Sequence, residues 1–217
     1  MSKYESILFD LDGTLTDPKK GILNSIEYAL QKFGIKIDRR DSLISFIGPP
    51  LKESFQNSFK FNSDQAWQAV QYYREYFARQ GLFENSVYTG IPELLSKLKA
   101  ERRILAVATS KPTIYSERIL EHFNLKEYFR LVVGSNLDGT RTAKTEVIRE
   151  TLKELSLVAK DSIIMVGDRE HDIIGAKNNQ ISSLGVTYGY GSEQELKEAG
   201  CDYLAGSVEE LERLLFQ

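Results

Sequence analysis

Short apolar runs recur along this chain at about residues 5–10, 104–109, 131–134, 162–167, 183–187 and 202–204, most of them separated by one segment of helical period. Strands joined through helices must cross over rather than turn back, so the pattern predicts a parallel sheet covered by helices on both faces. The helices are expected at about 90–101, 113–122, 142–156, 172–178, 192–199 and 207–215, the last opened by the Ser-x-x-Glu capping box of Ser207 and Glu210. One interval breaks the alternation. Residues 19–82 carry helical spacing and no strand, too long a stretch for a simple crossover. The expected organisation is an α/β core built from 1–17 and 83–217, with a small all-helical domain, 18–82, inserted between hinges near Asp17-Pro18 and Gly81–Gly90.

The first apolar run ends in chemistry. Ile7-Leu-Phe-Asp-Leu-Asp-Gly-Thr14 places Asp10 at the carboxyl end of a buried strand, where open α/β sheets bind their ligands. Asp12 falls on the same side by the two-residue period and can share a cation and a proton-transfer task with Asp10. Gly13 allows a sharp turn and close approach to an anion. Two acids and a glycine alone fit an Asx turn equally well. The second strand ends with Thr109 and Ser110, whose hydroxyls can meet a phosphoryl oxygen or simply cap the next helix. Lys144 opens a predicted helix, where the macrodipole disfavours a cation unless an anion is near; the other reading is a surface lysine. The run Ile163-Ile-Met-Val-Gly-Asp168 again leads into acids, and Asp172 faces the same site as Asp168 if a helical turn begins between them. Oxygen ligands select Mg²⁺ over zinc, and the sequence carries no Cys/His cluster that could hold zinc.

Composition removes several classes of partner. The formal charge is −3, from 28 basic and 31 acidic residues, with no basic block that could track a nucleic acid polymer. No apolar run approaches the ~20 residues that span a bilayer, and the N-terminus lacks the layout of a signal peptide, so a cytoplasmic protein without membrane partners is expected. Cys201 is the single cysteine and reads as a packing residue near a late strand. Tyr188 and Tyr190, flanking Gly189, read as a turn and nothing more.

Asp10-x-Asp12-Gly13-Thr14, Thr109, Lys144 and Gly167-Asp168-x-x-x-Asp172, in this order on successive strand ends, closely resemble the four motifs of the haloacid dehalogenase-like hydrolases. The resemblance spans nearly the whole chain and implies a Rossmann-like core with a C1 cap. Phe46-Ile-Gly-Pro-Pro-Leu51, Ser110-Lys-Pro112 and Gly167-Asp-Arg-x-x-Asp172 look like the phosphoglycolate phosphatase-like branch, and Ile47-Gly-Pro-Pro-Leu51 leans toward its 5′-nucleotidase-like members. Three departures stand out: Ser110 where Asn is more usual, Thr145 where Pro is common, and Asn178-Asn-Gln180 in place of a small-residue run.

The resemblance implies that Asp10 is the nucleophile and Asp12 the general acid and base. Mg²⁺ would be held by Asp10, Asp168 and the carbonyl of Asp12, with Asp172 orienting a water or Lys144. Gly13, Thr109, Ser110 and Lys144 would hold the phosphate. In the cap, Pro49, Pro50 and Lys52 are the candidate substrate contacts, while Trp67, Tyr72, Tyr73 and Tyr76 read mainly as cap core. A small phosphomonoester is the expected substrate, a nucleoside 5′-monophosphate ranked slightly above phosphoglycolate, with the protein a monomer or weak homodimer. The rivals are a sugar phosphomutase of the same fold, a dehalogenase, against which Asp12 argues, and a non-catalytic regulator.

Overall fold

The computed structural model describes residues 4–156 and 159–217. Two compact units emerge: Met1–Asp17 with Val87–Gln217, and Pro18–Ser86.

The first unit is built on six strands: β1 (Ser6–Phe9), β4 (Ile104–Pro112), β5 (Leu131–Ser135), β6 (Ile163–Gly167), β7 (Ser182–Val186) and β8 (Tyr203–Ala205). The two-residue strands β2 (Thr16–Asp17) and β3 (Ser86–Val87) form a separate small sheet at the chain crossings. The large sheet runs β5-β4-β1-β6-β7-β8, and its pairings are parallel. The order runs outward from β1 in both directions, so the chain reverses direction across the sheet between β1 and β6. In doubly wound folds the ligand crevice opens at that reversal, beyond the carboxyl ends of the strands.

All four residues of β1 are buried, which requires cover on both faces of the sheet. Leu8, with its register partners Ala106 and Met165, packs against Val147 and Ile148 of helix α6 (Lys144–Glu154) and Ala176 of α7 (Glu170–Asn178). Ile7 and its partners Leu105 and Ile164 alternate to the opposite face and are equally dry. The remaining helices of this unit are α4 (Ile91–Ala100), α5 (Thr113–His122), α8 (Glu193–Ala199) and α9 (Val208–Leu215). The alternation legible in the sequence is therefore the alternation of the fold. The box at Ser207 closes differently from expectation: Ser207 accepts from Glu210 N across 3.2 Å, but the Glu210 carboxylate accepts from Gly206 N.

The second strand is longer than the apolar run suggested. Ala108 pairs with Val133 and Pro112 with Ser135, so Thr109, Ser110 and Lys111 bulge out of the ladder. Gly134 permits this, since a Cβ there would collide with the carbonyl of Lys111.

The second unit holds α1 (Lys19–Lys32), a 3₁₀ segment (Arg40–Phe46), α2 (Leu51–Phe59) and α3 (Ser63–Tyr76), with a π-helical turn over Phe77–Gly81. Its core is aromatic: Phe46 meets Phe55 edge-on, Phe55 stacks on Phe61, and Tyr73 stacks on Phe77. Asn62 and Gln65 form a reciprocal capping box that starts α3. Among the described residues, no helix is long and apolar enough to cross a membrane.

Candidate active site

Beyond Phe9 the β1 ladder runs on by one rung, Asp10 N donating to Val166 O across 2.9 Å. The chain then folds tightly, with Leu11 O accepting from the amides of Leu15 (2.9 Å) and Thr16 (3.0 Å). Gly13 sits at φ +87°, and a Cβ on it would overlap the Asp168 carboxylate. Only glycine satisfies both the backbone and the neighbour.

Asp168 follows β6 directly and is fully buried. Its Oδ2 accepts from Tyr190 N across 2.8 Å, and Thr14 Oγ1 lies 3.5 Å from its Oδ1. The helical turn after it begins at Glu170, and Asp172 Oδ2 accepts from Arg169 N across 3.1 Å, capping α7. Asp172 Oδ1 is thereby left to face the site.

Lys144 is the first residue of α6, yet only 6% exposed, which rules out the surface reading. Its Nζ lies 2.7 Å from Asp10 Oδ1 and 2.7 Å from Asp172 Oδ1, and donates to Ala108 O across 3.0 Å. Neither carboxylate oxygen makes a hydrogen bond of good angle, so Nζ reaches them as a charge and gives its aligned N–H to the backbone. From the bulge of β4, Thr109 is buried and its Oγ1 accepts from Lys111 N across 3.3 Å, while Ser110 is half-buried. Lys111 forms an ion pair with Asp12 Oδ2.

Four carboxylates, Asp10, Asp12, Asp168 and Asp172, thus stand against two ammonium groups, a deficit of two positive charges when all are ionised. Burial pushes the Asp168 carboxyl well up, and Asp10 and Asp172 add repulsion. Burial also raises Asp172, to about 6, against the pull of Lys144. The Asp12 carboxyl is raised by burial and held back by Lys111. Burial alone would lower Lys144, but Asp10 and Asp172 outweigh it and raise the ammonium above its usual range.

The group is suited to a cation. Asp10, Asp168 and Asp172 each present an oxygen within 4.8 Å of the others, all are buried, and Asp10 Oδ1 and Asp172 Oδ1 lack hydrogen-bond donors. A buried all-oxygen set with excess negative charge fits a hard divalent ion. The Asp12 side chain stands outside this cluster, on Lys111.

Two elements of the site gave little sign in the sequence. Lys111 lay inside the Ser-Lys-Pro stretch, and only the bulge turns it inward. The Tyr188–Gly191 turn packs on Asp168: a Cβ on Gly191 would collide with Asp168 O, and one on Gly189 with Gly13 O. Tyr188 Oη donates to Thr14 O across 3.0 Å, and Tyr190 Oη donates to Asp17 Oδ1. The paired glycines were the available signal, because such close backbone approach excludes side chains. Two sequence departures also bond to each other: Asn178 Nδ2 donates to Thr145 Oγ1 (3.1 Å) and Asn179 Nδ2 to Thr145 O (3.0 Å), tying the start of α6 to the end of α7.

Within the second unit, Pro49 and Pro50 lead into α2, and Lys52 sits half-buried in its first turn. Tyr73 is buried on Phe77, Tyr72 meets Phe33 edge-on, Tyr76 packs on Tyr28, and Arg74 lies over Trp67. These contacts make the stripe chiefly a packing feature of its own unit.

Comparison with known proteins agrees with this geometry. The sequence pattern of the haloacid dehalogenase-like hydrolases matches residues 7–186. A 5′-nucleotidase of Pseudomonas aeruginosa is 48% identical over 195 residues, covering 90% of this chain and 88% of that protein. A phosphoglycolate phosphatase of Vibrio parahaemolyticus is 28% identical over 213 residues, covering 94% and 93%. The crystal structure of a "predicted phosphatase" from Clostridium acetobutylicum superposes with a TM-score of 0.94 at 51% identity, covering 98% of each chain. The chain belongs to the haloacid dehalogenase-like hydrolase family and stands among its phosphatases.

Proposed function

We propose that the protein is a Mg²⁺-dependent phosphomonoesterase that works through an aspartyl-phosphate on Asp10. The observation that carries this reading is the placement of Lys144 Nζ 2.7 Å from both Asp10 and Asp172, beside Asp168 in a buried three-carboxylate cluster.

A dianionic ester repels a carboxylate nucleophile, so attack needs concentrated positive charge. Mg²⁺ held by Asp10, Asp168 and Asp172, with the carbonyl of Asp12, supplies that charge when bound. Lys144 fixes the orientation of Asp10 and faces the phosphoryl group, and Thr109, Ser110 and the loop amides around Gly13 hold its oxygens. An Asp10 carboxylate oxygen bonds to phosphorus as the phosphorus–ester oxygen bond breaks, and the leaving oxygen takes the proton of Asp12. Asp12, now a carboxylate, takes a proton from water as that water bonds to phosphorus and the bond to Asp10 breaks. Inorganic phosphate leaves, with Asp12 protonated again.

The inserted unit takes the part of the family's C1 cap, and Pro49, Pro50 and Lys52 are its candidates for selecting the alcohol portion. A nucleoside 5′-monophosphate is preferred over phosphoglycolate; the 48% identity to a 5′-nucleotidase supports that order. A phosphomonoester panel assayed with Mg²⁺ and with EDTA tests the reading. Turnover unaffected by EDTA would sink it, and phosphoglycolate leading the panel would reverse the order.

A further inference from the structure

The steps above leave one buried charge without a task. Lys111 stands at the bulged end of β4, its side chain 6% exposed, in an ion pair with Asp12 Oδ2. Taking an ammonium out of water is costly unless it is paired, so this is a built contact and not a surface lysine lying over. The other oxygen of Asp12, Oδ1, is buried and accepts no hydrogen bond. The carboxylate is asymmetric: one oxygen is held and the other is open.

We propose that Lys111 is a positioning residue for Asp12, pinning Oδ2 so that Oδ1 is the oxygen that passes the proton to the leaving group and later takes one from water. The inference rests on Asp12 being the general acid and base of the proposed function. The backbone supports it, because the Lys111 amide donates to Thr109 Oγ1 across 3.3 Å and Gly134 admits the Lys111 carbonyl against β5. The root of the side chain is therefore fixed before the ammonium reaches Asp12. The ion pairs show a division of labour: Lys144 attends Asp10 and Asp172, and Lys111 attends Asp12.

The rival role is direct contact with an anionic group of the substrate, and the leaving group separates the two. An alkyl ester needs its oxygen protonated; a 4-nitrophenyl ester hardly does. Lys111→Met and Lys111→Gln should each lower kcat/KM for a primary alkyl phosphate by about 10–100-fold and for 4-nitrophenyl phosphate by no more than about 3-fold, because kcat/KM ends at formation of the aspartyl-phosphate and leaves out the later step, common to both esters, in which Asp12 takes a proton from water. Combined with Asp12→Asn, Lys111→Met should slow the alkyl ester no further than Asp12→Asn alone, since Lys111 acts through Asp12. Equal losses of kcat/KM on both esters, or a loss that lies in KM with kcat unchanged, would overturn the inference. If Lys111→Met fails to fold, Lys111→Gln and the double variant, which removes the unpaired carboxylate, carry the same comparison. An Asp12→Asn variant whose kcat/KM falls equally on both esters would remove the proposed acid itself, and the inference with it. Selectivity kept by Asp12→Asn but absent from the Lys111 variants overturns the inference alone.

Discussion

The amide of Tyr190 donates to Asp168 Oδ2 across 2.8 Å, so a loop after β7 sets the orientation of a carboxylate on the end of β6. Gly189 and Gly191 make the approach possible, and any side chain at either place must displace Asp168 or the loop.

Gly189→Ala and Gly191→Ala should therefore weaken Mg²⁺ binding by about 10–100-fold, the usual effect of losing the support behind a metal ligand. Tyr190→Phe keeps the amide and should bind Mg²⁺ as the parent does. Titration calorimetry on the purified proteins checks both. Parent-like affinity in the alanine variants would show that the loop does not position Asp168.

Asp10→Asn should abolish turnover. Asp12→Asn should lose about 10²–10⁴-fold while still binding Mg²⁺ and inorganic phosphate, because its acid serves proton transfer. Single-turnover assays beside phosphate titrations distinguish these outcomes. A near-parental rate for Asp12→Asn on an alkyl ester would contradict the assignment.

Lys144→Met leaves Asp10 and Asp172 facing each other without their shared cation. Removing one partner of a buried ion pair typically costs about 3–5 kcal/mol. Asp172 is already raised to about 6 with Lys144 pulling it down, so without Lys144 it rises further. A carboxyl raised in the folded state favours folding below its unfolded pKa and loses that contribution as pH climbs through the folded one. The deficit should therefore be greatest above neutrality and shrink toward about pH 5. Urea denaturation in metal-free buffer at the two ends measures it, and a pH-independent deficit would count against the proposed burial of charge.

Lys52→Ala discriminates the substrates. If phosphoglycolate is the physiological ester, its carboxylate needs a cation, and the variant should raise KM for phosphoglycolate about tenfold or more while sparing nucleotides, the scale of one charge-assisted hydrogen bond. Under the preferred nucleotide reading, nucleoside 5′-monophosphates remain the better substrates and Lys52→Ala changes their KM little. Paired kinetics on both esters decide the matter.

Much of this architecture was legible because period and burial speak directly in sequence. Ile7 to Phe9 and Ile163 to Gly167 are continuous apolar runs since both faces of the sheet are covered, and the acids that follow them emerge at neighbouring strand ends. Lys144 looked anomalous at a helix start, and its carboxylate neighbours explain the anomaly. Lys111 was hidden because a bulge, unlike a strand, has no period; its direction depends on Gly134, more than twenty residues away. The Tyr188–Gly191 turn is equally silent in the sequence. Its partners, Asp168, Thr14 and Asp17, are distant in sequence, and no local pattern reports a contact of that kind.

The place of β1 in the sheet has a consequence for how the protein is made. Of the six strands of the large sheet it is the first to be synthesised, yet its two partners arrive late: Ser6 pairs with Ile104 and Ile163. Until β6 has been synthesised, the strand that leads into Asp10 has at most one edge to bind, and closure over such sequence separations is slow. A nascent or truncated chain ending before β6 presents an apolar strand with at least one unpaired edge, a form open to aggregation and to chaperones. Recovery of activity after denaturation therefore reports the longest-range pairing of the sheet, the docking of β6 beside β1.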